Sequence, residues 1–135
     1  MTDFHGIFPY LVSPVEPLTG KIKEDVLRQL VSDLIAKGVH GLSPLGSTGE
    51  FAYLTQAQRE EIVRIVVDET AGRVPVVPGV SAFSTEEAIE QAQRYEVLGV
   101  DGIVLMLQAY FALPPTAIVR YFRMVASAFH RPIVI

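Results

Sequence analysis

Apolar positions follow two alternating rhythms along this chain. Gly6-Ile7-Phe8-Pro9-Tyr10-Leu11-Val12 is a short, nearly continuous apolar run, the pattern of a strand covered on both faces. After a turn around Pro17 to Gly20 the spacing changes. Leu27, Leu30, Val31, Leu34 and Ile35 share one face of a predicted helix, which ends at Gly38, where a left-handed residue is expected. Gly41-Leu42-Ser43-Pro44-Leu45 predicts a second strand. Thr55-Gln56-Ala57-Gln58 then reads as a capping box opening a helix with Ile62, Val63, Val66 and Val67 inward. Val74-Pro75-Val76-Val77-Pro78 predicts a third strand, and Ser84-Thr85-Glu86-Glu87 a second capping box whose helix runs to about Leu98 and stops at Gly99. Gly102-Ile103-Val104-Leu105-Met106 is the fourth predicted strand. Pro114 and Pro115 open a helix carrying Ile118, Val119, Phe122 and Val125, and Pro132-Ile133-Val134-Ile135 begins a fifth strand.

The units echo one another. Gly38-Val39-His40-Gly41-Leu42 answers Gly99-Val100-Asp101-Gly102-Ile103, and Arg73-Val74-Pro75-Val76-Val77 answers Arg131-Pro132-Ile133-Val134. Apolar strands in strict alternation with helices imply a parallel sheet, either doubly wound or closed into a barrel. Even repetition without a dinucleotide fingerprint favours the parallel (β/α)₈ TIM barrel, of which about the first four and a half β/α units are present. Ile135 falls inside an apolar strand, and such a barrel needs about 250 residues. Residues 1–135 are therefore expected to be the N-terminal half of a single barrel domain, cut within its fifth strand. A stand-alone half barrel, pairing with a second copy through its open edges, is the alternative.

Composition narrows the function classes. The chain is half apolar and 19% charged, as an ordinary globular protein is, with a formal net charge of −4 and its basic residues scattered. That distribution offers no footprint for nucleic acid or an anionic membrane. With no cysteine, disulfides and thiolate metal sites are excluded. The start, Met1-Thr2-Asp3-Phe4-His5, lacks a basic segment leading into an apolar one, and no apolar run approaches membrane-spanning length. A cytoplasmic protein is the expectation.

Candidate chemistry sits in Gly46-Ser47-Thr48-Gly49-Glu50, at the C-terminal end of the second predicted strand, the end where barrel active sites are built. Two adjacent hydroxyls between flexible glycines can converge on a small anion, most simply a carboxylate. The bland alternative is a tight turn whose Ser and Thr satisfy local backbone groups. A phosphate site fits less well, because no lysine follows in the Walker arrangement.

Leu45-Gly46-Ser47-Thr48-Gly49-Glu50-Phe51, followed by Leu54-Thr55 and Arg59, resembles the signature of the dihydrodipicolinate synthase and N-acetylneuraminate lyase family. The resemblance continues through Ile7 to Pro14, Val74 to Gly79, and from Gly99 through Tyr110 to Phe122. It implies a class I aldolase or lyase that holds pyruvate or a related 2-keto acid as a lysine Schiff base and makes or breaks a C–C bond, without a cofactor or metal. By that resemblance Ser47 and Thr48 bind the keto-acid carboxylate. Ser47 also joins a proton relay, and Tyr110 completes the relay of a neighbouring subunit in a homo-dimer or homo-tetramer. The relay tyrosine would follow Ile135 and the Schiff-base lysine would come one strand later. Lys21, Lys23 and Lys37 lie before or on the first helix and read as solvated charges. On its own residues, without the resemblance, Tyr110 reads as a loop aromatic packing its ring.

Some positions depart from the synthase branch. Ser47 stands for its usual threonine, Gln108-Ala109 for a proline and an aromatic, and Val80-Ser81-Ala82-Phe83 for a more polar loop. A less polar pocket with a different second substrate is expected, or a non-catalytic relative that binds a keto acid or serves in assembly. His5, His40 and His130 lack metal-ligand spacing. Glu50 is expected to stiffen its loop by accepting backbone N–H bonds, and Asp101 to be structural.

Overall fold

Four helices alternate with five parallel strand positions along residues 4–135, the part of the chain that the computed structural model describes. The N-terminal reading against an export leader rests partly on Met1, Thr2 and Asp3, which lie outside the described residues. The helices are α1 (Glu24–Ala36), α2 (Gln56–Thr70), α3 (Thr85–Val97) and α4 (Pro115–Ala128). Parallel bridges join the first strand position to the second, Tyr10 with Ser43, and the second to the segment that leads into the third, Leu42 with Val76. The third and fourth strands, Gly79–Ala82 and Ile103–Leu107, pair in parallel, and the fourth pairs likewise with the fifth, Ile133–Val134.

Each strand position therefore neighbours the next in sequence, with no reversal of order, and each helix packs on the following one, α1 on α2, α2 on α3, α3 on α4. A doubly wound sheet reverses direction and places helices on both faces. The unbroken order with all helices on one side is that of a parallel β/α barrel, here its first four and a half units. Leu11, Leu42, Val80, Ile103 and Leu105 fill the layer between sheet and helices, meeting Leu27 and Val31 of α1, Ile62, Val63 and Val66 of α2, and Val125 of α4. The concave face encloses a hollow of about 270 Å³ lined by Phe8, Tyr10, Ser43, Val77, Val104 and Val134.

Local signals behave largely as the sequence predicts. Gly38 and Gly99 end α1 and α3 at φ +83° and +90°, values an L side chain rarely adopts. Thr55 and Gln58 form the reciprocal capping box, whereas of the second box only the forward bond forms, from the Glu87 amide to Ser84. The internal echo has a shared purpose: the Ile7 amide donates to His40 Nδ1 at 3.0 Å, and the Val76 amide donates to Asp101 Oδ2 at 2.9 Å. In both repeats the residue before a strand ties down the strand preceding it. Asp101 is thus structural, as read.

Three expectations need correction. The third strand does not end at Pro78 but runs regularly from Gly79 to Ala82. Pro75 and Pro78 lack amide donors, so their segment pairs only intermittently, and the ladder resumes when the Gly79 amide reaches the Pro44 carbonyl at 2.8 Å. Val80, Ser81 and Ala82 are consequently buried strand residues rather than a loop. On α4, Val119 is about half exposed and Tyr121 takes the inward position, because a helix starting at Pro115 turns positions 118, 121, 122 and 125 to one face.

A polar seam joins α1 to α2. Arg28 contacts Glu24 at 2.6 Å and Glu69 at 3.3 Å, and the Ser32 hydroxyl donates to Glu69 at 2.5 Å. The Ser32 hydrogen bond, and then Arg28, hold the Glu69 carboxyl below its ordinary value, against the opposing effect of desolvation. Among the described residues no helix is long and apolar enough to cross a membrane.

Candidate active site at the C-terminal mouth

The second strand position ends in an abrupt turn. Leu45, buried, sits at φ +64°, and Gly46 returns to extended backbone. A single 3₁₀ turn, Ser47–Gly49, follows, closed by the Gly49 amide on the Gly46 carbonyl and the Glu50 amide on that of Ser47, both at 3.0 Å. Glu50 at φ +51° breaks the direction, Phe51–Tyr53 forms a second 3₁₀ turn, and Thr55 caps α2.

Tertiary contacts hold this loop in place. A Cβ at Gly46 would run into the Tyr10 ring, and one at Gly49 would approach the Leu11 carbonyl oxygen to 2.9 Å. Only glycine lets the loop lie so close to the first strand position. From α2, Arg59 Nε lies 3.1 Å from the carbonyls of both Phe51 and Leu54, and its guanidinium sits 5.7 Å from the Phe51 ring centroid. The anchor is therefore Arg59. Glu50, expected to stiffen the loop, is exposed, and among the described residues its carboxylate accepts no hydrogen bond.

Ser47 and Thr48 are both exposed, and among the described residues neither hydroxyl has a protein partner. That runs against the reading of a turn whose Ser and Thr bond their own backbone. The geometry is a rigid turn with two adjacent hydroxyls directed to solvent at the C-terminal end of the sheet. The sheet's interior is largely apolar, with Phe8, Val77, Val104 and Val134 around Tyr10 and Ser43.

The fourth strand ends at Leu107, and its loop carries Tyr110, 84% exposed, packed edge-on against Phe111 at 5.0 Å between ring centroids. The Tyr110 loop thus leaves from the same end of the sheet as Ser47 and Thr48, two strands away. The loop stems are held by Tyr121, whose buried hydroxyl donates to the Met106 carbonyl at 2.8 Å. Burial pushes the phenol up to about 12, partly offset by the Ala82 amide.

Two features here escaped sequence reasoning. Ser81 Oγ is buried without a partner among the described residues, beside a hollow of about 210 Å³ that also touches Arg59, Phe83 and Gln108. An alternation of strand residues would have flagged Ser81 had the strand been extended past Pro78. Arg59 was visible only as part of a motif, with no local sign of its carbonyl partners.

The remaining candidates are exposed side chains. Lys21 and Lys23, between the first strand position and α1, and Lys37, just after α1, are exposed, and Lys23 lies 3.7 Å from Glu16. His40 bonds the Ile7 amide and His130 faces Glu96 at 3.5 Å. Among the described residues no His, Cys, Asp or Glu group could hold a metal ion.

Comparison with known proteins agrees with this architecture. An "uncharacterized DapA-like lyase" of Halobacterium salinarum is 39% identical over 132 residues, covering 96% of this chain and 42% of that protein. The crystal structure of YagE, a prophage protein of the dihydrodipicolinic acid synthase family from E. coli K12 in complex with pyruvate, superposes with a TM-score of 0.90 at 36% identity, over 96% of this chain and 43% of that one. The 4-hydroxy-tetrahydrodipicolinate synthase of Methylacidiphilum fumariolicum SolV superposes with a TM-score of 0.92 at 28% identity, over 97% of this chain and 43% of that one. The chain thus spans less than half the length of these relatives. Residues 3–135 match the Dihydrodipicolinate synthetase family, and with the loop, the strand order and the superpositions in agreement, this chain belongs to that family.

Proposed function

We propose that residues 1–135 form the N-terminal half of a cytoplasmic, homo-oligomeric lyase or aldolase that binds pyruvate or a related 2-keto acid as a lysine Schiff base. Ser47 and Thr48 donate their hydroxyls to the keto-acid carboxylate. The observation that carries this reading is that both hydroxyls are exposed, with no partner among the described residues, on a loop held by Arg59 and by glycine contacts. The pyruvate complex of YagE, a family member, supports the choice of ligand.

The nucleophilic lysine belongs to sequence beyond residue 135. The only lysines in this sequence, Lys21, Lys23 and Lys37, are exposed, before or at the end of α1. Condensation of its amine with the ketone expels water and leaves an iminium, which stabilises the carbanion formed when a C–C bond at the neighbouring carbon breaks. The carboxylate anchor fixes the ketone over the apolar floor so that amine and carbonyl carbon meet in one orientation. Tyr110, exposed on the fourth loop, extends its hydroxyl to the relay of a neighbouring subunit, whose member on the second-strand loop is Ser47.

The test is to incubate the full-length protein with pyruvate and borohydride and measure its intact mass. One reduced pyruvate per chain is the expected result. No adduct, together with pyruvate binding that survives, would instead support a non-catalytic keto-acid binder.

A further inference from the structure

Leu45 is the unusual residue of the second-strand loop: buried, branched at Cγ, and held at φ +64°, where a side chain crowds its own backbone. Its carbonyl points across to the third strand. A Cβ built on Gly79 would lie well inside van der Waals contact of the Leu45 carbonyl oxygen, with the carbonyl carbon at 3.0 Å and Met106 Cε at 2.9 Å. The methionine tip can move aside, but the Leu45 peptide cannot do so alone, because the adjoining Pro44 carbonyl accepts the Gly79 amide at 2.8 Å. Gly79 itself lies in a regular extended strand, a conformation open to any residue. Its lack of a side chain is therefore required by Leu45 and not by its own backbone.

We infer that Leu45 and Gly79 form a paired positioning element: the empty space at Gly79 receives the turned Leu45 peptide, and that turn aims Ser47 and Thr48 at the mouth. The inference rests on the proposed keto-acid site, since it assigns the pair a role in presenting that site's hydroxyls. Filling the space pushes back the peptide two residues before Ser47, so the effect falls on ligand capture as well as on stability.

The experiment uses the full-length protein with pyruvate as the probe. Gly79→Ala is expected to raise the pyruvate concentration for half-maximal borohydride trapping about tenfold or more, and to speed amide exchange at residues 46–49. Gly102→Ala is the matched control: its Cβ would meet the Pro132 carbonyl oxygen at 2.6 Å and the Phe4 ring at 2.8 Å, at the opposite end of the fourth strand. It should lower thermal stability and leave half-saturation unchanged. The inference is overturned if Gly79→Ala captures pyruvate within about twofold of wild type, or if Gly102→Ala weakens capture equally. Should Gly79→Ala fail to fold, Leu45→Gly decides: with φ released, capture should weaken and exchange at residues 46–49 should rise, and unchanged capture overturns the pairing. If wild-type protein captures no pyruvate but Gly79→Ala still loosens residues 46–49, the keto-acid reading falls and the pair's control of the loop stands.

Discussion

The loops after the second and fourth strands leave from the same end of the sheet, yet they are built in opposite ways. The second-strand loop is gripped from three sides, by Tyr10 against Gly46, by Arg59 on the Phe51 and Leu54 carbonyls, and by Gly79 beneath Leu45. The fourth-strand loop carries Tyr110 and Phe111, 84% and 77% exposed, each packed mainly on the other. One loop presents polar groups from a rigid support. The other presents a large amphipathic ring that this chain leaves uncovered, and a phenol in that setting suits a partner surface. The contrast teaches that two candidate groups on one mouth can be prepared differently, the first by packing within the chain and the second left on an exposed loop.

The largest expected effect tests the fourth loop. Tyr110→Phe keeps the ring against Phe111 and removes only the hydroxyl, so turnover, followed as deuterium entry into the pyruvate methyl group, should fall about a hundredfold, with trapping at saturating pyruvate retained. An unchanged exchange rate would reduce Tyr110 to a packing residue. Next is the second loop: Ser47→Ala should weaken pyruvate capture roughly tenfold to a hundredfold, the worth of one hydrogen bond to a charged group, without altering the thermal midpoint. Equal capture by mutant and wild type would remove Ser47 from the site.

Two further changes probe the supports. Arg59→Met retains a long apolar stem but loses both carbonyl contacts, and should cost about 2 kcal/mol in urea unfolding. A loss confined to pyruvate capture would mean that the arginine meets the ligand and does not brace the loop. Tyr121→Phe removes the bond to the Met106 carbonyl and should cost about 1 kcal/mol, with the Tyr110 loop exchanging faster. Smallest is the seam far from either loop. Glu69 titrates below its ordinary value in the fold, so its stabilising contribution is present above the unfolded-state value and is lost as pH falls through the lower, folded one. Glu69→Gln should flatten that part of the acid limb of the stability profile and leave capture untouched.

The sequence alone was sufficient for whatever depends on near neighbours. Periodicity identified all four helices, Gly38 and Gly99 marked left-handed ends, Thr55 and Gln58 announced their cap, and the repeated turn before the second and fourth strands was visible as an echo, with Asp101 read as structural. The glycine-flanked hydroxyl pair was legible for the same reason, as a short run with a spacing of its own. What only the tertiary structure decided involves residues far apart in the chain. Pro78 looked like a strand end until Gly79 found Pro44, Tyr121 gave no sign of its reach to Met106, and Glu50 looked like the loop's brace until Arg59 was seen on two carbonyls. Leu45 and Gly79 make the point most sharply. A leucine with positive φ leaves no mark on the residues beside it, because the space that permits its turn is a missing Cβ on another strand.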